Sequence, residues 1–161
     1  MNPRAAELIR QLQLNPHPEG GYYRRIHQSA INVLRKSDAM DRLALTSIYY
    51  LLPEGAISRW HRVLSDEAWH HYEGAALELL SFAPDGSTVL SHQLGPLGDG
   101  GSPVHVVPAG WWQAARPLGA YALVGCTVGP GFEFEDFTLL ADLPENDWPK
   151  VPEFDGFSTL L

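Results

Sequence analysis

Sulfur and positive charge are both scarce in this chain. A single cysteine, Cys126, excludes an intramolecular disulfide and fits a reducing compartment. Lys and Arg together number 11 against 19 Asp and Glu, giving a formal net charge of −8 with no basic tract. Nucleic-acid binding draws on clustered Lys and Arg, so no nucleic-acid partner is expected. No apolar run approaches membrane-spanning length. Arg4, Glu7 and Arg10 argue against an N-terminal signal peptide. P-loop, dinucleotide-binding and nucleophile-elbow patterns are absent too. The expectation is a soluble cytoplasmic protein without a membrane partner.

Turn-forming residues are plentiful. Gly 15 and Pro 13 among 161 residues fit many short strands joined by turns. This length suits one domain over 1–161, able to bury a core without metal or disulfide staples. Residues 3–14 predict the one helix: Asn2 is the N-cap, Pro3 takes the tolerated first position, and Ala5, Leu8, Ile9 and Leu12 share a face. Asn15-Pro16 stops it. The period then changes to two, with strands expected from Tyr22 to about residue 140. Residues 32–41 are polar and read as a mobile loop, and Phe132–Leu140 reads as a strand. Residues 142–161 form an acidic, proline-containing tail. Many short strands with Gly/Pro turns, and no long helices between them, predict an all-β sandwich or closed barrel.

The chemistry concentrates between Gly55 and Gly74. Five residues separate Gly55 from His61, Glu67 follows six positions later, and Gly74 closes the run. This spacing resembles the first motif of the cupin superfamily, with Val63 where cupins usually carry a second histidine. Pro108-Ala109-Gly110-Trp111-Trp112-Gln113 is similar to the second motif, with Gln113 in place of its histidine. Further segments resemble one branch, the Cupin_5 or DUF985 family. They are Asn15–Arg24 (NPHPEGGYYR), Ser47–Leu52 (SIYYLL), Trp60–His70 (WHRVLSDEAWH), Pro108–Ala115 (PAGWWQAA) and Val124–Phe137 (VGCTVGPGFEFEDF). The resemblance implies a double-stranded β-helix, the jelly-roll cupin barrel, over about 20–140, behind the short N-terminal helix. It also implies a homodimer and no settled reaction.

His61 and Glu67 are the expected catalytic pair, the imidazole as acid/base and the carboxylate orienting it. A divalent metal is the alternative cofactor, held by His61, Glu67, Gln113 and His71, although an amide oxygen is a weak ligand for borderline metals. Counting by twos from Glu67 puts Trp69 and His71 on its face and His70 opposite. The family pattern favours His70, so both histidines stay open. Trp69, His70, Gln113, Tyr49 and Arg24 are the expected small-molecule contacts, with Arg24 paired to Glu19 or Asp136 in the structural alternative. Trp60, Trp69, Trp111 and Trp112 either line a pocket or fill the core. His17, His27, His92 and His105 show no chemical spacing, and Cys126 reads as buried and inert. Three functions remain open: an isomerase- or epimerase-type enzyme on a small polar or sugar-like metabolite, a metal-dependent cupin, and a non-catalytic metabolite sensor.

Overall fold

The computed structural model describes all residues except 99, 153, 155 and 156; the expected acidic tail contains the last three. Helix α1 spans Pro3–Gln11. Asn2 caps it, its side chain accepting from the backbone N–H of Arg4 and Ala5. The helix stops short of residue 14 because Gln13 takes a positive φ of 54°, which turns Leu14 back under it.

Thirteen strands follow among the described residues: β1 (Asn15–Pro16), β2 (Tyr22–Gln28), β3 (Asn32–Arg35), β4 (Met40–Leu43), β5 (Thr46–Pro53), β6 (Ser58–Val63), β7 (Asp66–Gly74), β8 (Leu77–Phe82), β9 (Val89–Leu94), β10 (Val104–Val107), β11 (Trp112–Pro117), β12 (Tyr121–Gly129) and β13 (Phe137–Leu139). They form a six-stranded sheet in the order β1-β2-β5-β12-β7-β10, a five-stranded sheet in the order β13-β6-β11-β8-β9, and the small β3–β4 pair. The two large sheets face each other in an all-β jelly-roll arrangement, as the resemblance implies. Strand alternation sends Tyr50, Leu52, Trp69, Leu77, Leu79, Val124 and Cys126 into the space between them. The outer face of the six-stranded sheet receives α1, whose Ala5 and Leu8 join Leu14 against Leu51 and Leu123.

Three local expectations need correction. Residues 32–41 are mostly a hairpin rather than a mobile loop. Arg35 on β3 and Arg42 on β4 both bind Asp136, with nitrogen–oxygen distances of 2.7–2.9 Å. Charge pairing across about a hundred residues of sequence holds the hairpin in place, which a local reading does not detect. Phe132–Leu140 is not one strand. A 3₁₀ turn at Phe134–Asp136 precedes the short β13, and that turn delivers Asp136 to the two arginines. The tail is more than an acidic extension, since Trp148, Phe154, Phe157 and Leu160 cover Trp60, Phe82 and Trp112 on the outer face of the five-stranded sheet. The Trp60 indole donates to the Phe157 carbonyl at 3.0 Å.

Candidate functional site

The apolar residues between the sheets fill one end of the barrel and leave the other hollow. Its inner end holds His61, Glu67, Glu19 and His17, and its walls are apolar, chiefly Ile48, Val63, Val128, Phe132, Phe134 and Phe137. The enclosed volume is about 40 Å³, room for about three waters.

Strand register explains the convergence. His61 on β6 lies directly opposite Gln113 on β11, and Glu67 on β7 lies opposite Val128 on β12. All three polar residues occupy inward positions and are buried. One chain of hydrogen bonds orients them. The Trp69 indole N–H, which can only donate, reaches Gln113 Oε1 at 2.9 Å. The Gln113 NH₂ therefore faces the other way. It donates to Glu67 Oε2 and lies 3.1 Å from His61 Nε2. His61 Nε2 is thus an acceptor, and the ring proton sits on Nδ1, 2.8 Å from the Arg59 carbonyl. Trp69, through an amide, sets the imidazole tautomer.

Glu19 completes the group. Its Oε2 lies 3.3 Å from His61 Nε2 and 3.7 Å from His17 Nδ1, and its Oε1 accepts from the Ser58 hydroxyl at 3.1 Å. Burial pushes the Glu19 carboxyl up from its ordinary value and pushes the His61 imidazole down. Burial likewise raises Glu67, against the opposing charge of His61. The one lone pair of His61 Nε2 therefore faces two groups, the Gln113 NH₂ and the Glu19 carboxyl, and a protonated Glu19 would share it with the amide.

Backbone geometry holds Glu19 in place. Gly20 adopts φ 115°, and a Cβ there would collide with the Ile57 carbonyl oxygen. Gly20→Ala is expected to destabilise the fold by about 1–3 kcal/mol and to displace Glu19, as read by denaturant unfolding. An unchanged midpoint would show that this turn relaxes freely.

The structure distributes the expected contact residues unevenly. His61, Glu67 and Gln113 come together, while Trp69 is fully buried behind Gln113 and touches the site only through it. Arg24, Tyr49 and His70 lie on the outer face of the six-stranded sheet, away from the cavity, because β2, β5 and β7 alternate without interruption there. Arg24 pairs with neither Glu19 nor Asp136. It binds the Leu12 carbonyl at 3.0 Å and Gln13 Oε1 at 3.2 Å, closing the end of α1. His71 does follow Glu67 and Trp69 on the inward count. Beyond it a register shift loosens the strand, and its Nε2 lies 3.0 Å from the Ala75 carbonyl, outside the cavity lining. Trp60, Trp69 and Trp112 are core residues. The cavity's aromatic wall is phenylalanine from 132–137 instead. His17, Glu19, Arg25 and these phenylalanines line the cavity without belonging to the expected site set. The signal available for Glu19 was the double glycine after it.

The donor set does not fit a metal. Gln113 inserts its NH₂, which has no free lone pair, between His61 and Glu67, and its oxygen is committed to Trp69. Val63 offers no ligand, and His71 is directed elsewhere. Among the described residues, no three His, Cys, Asp or Glu side chains are arranged to hold an ion.

A family model, Cupin_5 of the cupin superfamily (DUF985), matches residues 6–140. The chain belongs to this family. A curated relative, the uncharacterized protein YML079W of Saccharomyces cerevisiae, is 30% identical over 150 residues, covering 83% of this chain and 74% of its own. A hypothetical protein from Leishmania major superposes with TM-score 0.78 at 32% identity, over 83% of this cupin and 85% of that chain. Protein SO0799 from Shewanella oneidensis gives TM-score 0.75 at 36% identity, over 84% and 83%. An oxalate decarboxylase of Bacillus subtilis shares the fold alone, at TM-score 0.58 and 18% identity, over 80% of this chain and 30% of its own. Among the described residues of this cupin, no helix is long and apolar enough to cross a membrane.

Proposed function

We propose that this cupin is an isomerase-type enzyme that moves a proton on a small molecule bound in the barrel cavity. The observation that carries this reading is the buried imidazole of His61, set between the Gln113–Glu67 pair and Glu19 at the closed end of an otherwise apolar hollow. Isomerisation needs one group to take a proton and another to return it, with no redox partner. The Gln113 amide donates to Glu67 Oε2 and so favours its ionised form. Glu67 is assigned the base and the Glu19 carboxyl the proton donor, with the neutral His61 imidazole beside Glu19 orienting it. The half-buried Phe132 and Phe137 side chains shield the inner groups from bulk water, which strengthens each of these interactions.

Non-catalytic metabolite binding is the second reading. The predominantly apolar walls favour it, because they would hold a ligand without any chemistry. The family resemblance adds a homodimer to the proposal, and the single cysteine, which fits a reducing compartment, adds a cytoplasmic setting. Native mass spectrometry of the untagged protein, as isolated, tests ligand binding, metal content and oligomeric state together, and turnover of the Glu67 and His61 variants separates the two readings. A co-purifying small organic molecule on a dimer supports the proposal. A bound stoichiometric divalent ion would overturn the reading of the donor set.

The buried carboxyl also has a stability signature. Glu19 is raised, so the stability it contributes is full below the unfolded carboxyl value near 4.3 and is lost as pH rises through its folded value. Glu19→Gln keeps the Ser58 contact and points an NH₂ at His61. It should raise Tm by about 2–4 °C for each kcal/mol gained at pH 8, with almost no gain at pH 4. Equal shifts at both pH values would mean that Glu19 is not protonated in the fold.

A further inference from the structure

One permanently charged group faces the cavity without a carboxylate partner. Arg25 is the one Lys or Arg among the described residues that line it. It stands at an inward position of β2, opposite Ile48, and the register slips immediately after it. Such a bulge re-aims a side chain, here toward the mouth. Arg25 is exposed, and among the described residues its one side-chain hydrogen bond is a long 3.5 Å contact with the Phe132 carbonyl. Other arginines are committed elsewhere: Arg35 and Arg42 to Asp136, Arg24 to the end of α1, and Arg59 to the Pro18 carbonyl at 2.6 Å.

We infer that Arg25 is the docking point for the anionic end of the ligand, and that the ligand is short and carries a single anionic group. This rests on the cavity being the ligand site, as proposed above. A planar guanidinium at the rim matches a carboxylate or a phosphate monoester bidentately. Ile48, Val128 and Phe132 accept the apolar middle, and the opposite end reaches Glu67 and His61. That far end is uncharged. Two carboxyls, Glu19 and Glu67, line the closed end, and the described cavity lining offers no Lys or Arg there to balance a second negative group. The enclosed volume of about 40 Å³ limits the inserted part to a few heavy atoms. Polarity therefore runs from a cation at the mouth, through an apolar belt, to proton-exchanging groups at the end.

The test uses the full chain and three probes: butanoate, propyl phosphate and butanamide. Binding is followed by the Trp69 indole N–H resonance, which reports on the closed end through Gln113. One of the two anions is expected to bind about tenfold more tightly than butanamide, a difference of about 1.4 kcal/mol. Whichever anion binds better identifies the headgroup as carboxylate or phosphate. Arg25→Gln should reduce the advantage to about twofold or less, and Arg25→Lys should retain part of it because a point charge remains. Succinate, with a second charge at its far end, should bind about tenfold more weakly than butanoate. If butanamide matches the anions, or if their advantage survives in Arg25→Gln, the anion site is wrong and the cavity reading stands. If no probe moves the Trp69 resonance at any accessible concentration, both readings fall.

Discussion

Asp136→Ala is expected to destabilise this cupin by about 3–5 kcal/mol. The carboxylate sits between two buried guanidinium groups, and Arg35 and Arg42 have side chains only 5% exposed. Removing Asp136 strands both charges away from water. Their remaining partners are weak substitutes. Asp38 on Arg35 is one-third exposed, and Glu135 on Arg42 is 63% exposed, where pairing contributes little. Each kcal/mol corresponds to a Tm shift of about 2–4 °C in a protein of this size, so a loss of about ten degrees is expected. The effect extends to the cavity, because Asp136 anchors the turn that carries Phe134 and Phe137. Weaker ligand binding should accompany the lower stability. A loss below about 1 kcal/mol in urea unfolding would show that the β3–β4 hairpin is not held this way.

The same residue sets part of the acid sensitivity. The paired guanidinium groups of Arg42 and Arg35 hold the Asp136 carboxyl far below its ordinary value. Its contribution is full above the unfolded value near 3.9 and is lost as pH falls through the folded one. The native protein should lose stability below about pH 4, and Asp136→Ala should lack that part of the dependence.

Glu67→Gln should reduce turnover of the ligand by about a hundredfold to ten-thousandfold, the usual weight of one acid–base group. Binding should survive, since the amide keeps the shape and the contact with Gln113. The pH profile separates catalysis from structure. Burial raises Glu67, so activity should climb with pH above the ordinary carboxylate range, and that limb should vanish in the variant. His61→Ala should show the same division between retained binding and lost turnover. Lost binding with unchanged fold would favour the sensor reading. Turnover within about threefold of the native protein would remove Glu67 from the chemistry.

Much of the barrel was legible locally. Period-two alternation broken by Pro53-Glu54-Gly55, Ala83-Pro84-Asp85-Gly86 and Pro108-Ala109-Gly110 marks the strands within a few residues of their observed ends. Asn2 and Pro3 mark the start of α1. The inward direction of Glu67, Trp69 and His71 follows from counting by twos, and the family pattern that favoured His70 pointed to the wrong face of the sheet. Elements held by distant partners were not legible. The β3–β4 hairpin looks like a polar loop until Asp136 is placed between its arginines. The tail looks solvated until Phe157 and Leu160 meet Trp60.

The residue order alone determined the all-β architecture and the inward rows that carry His61, Glu67 and Gln113, because strand geometry has a fixed period and glycine and proline interrupt it. Tertiary structure alone decided what surrounds those three groups. Glu19, His17, Phe132 and Phe134 come from turns far away in the chain, where no period constrains the side chains, and Arg25 reaches the mouth from an inward position of β2 next to a register slip. Their chemistry also depends on burial, which shifts Glu19 and Glu67 upward and His61 downward. Burial is a property of the closed barrel and not of any segment within it.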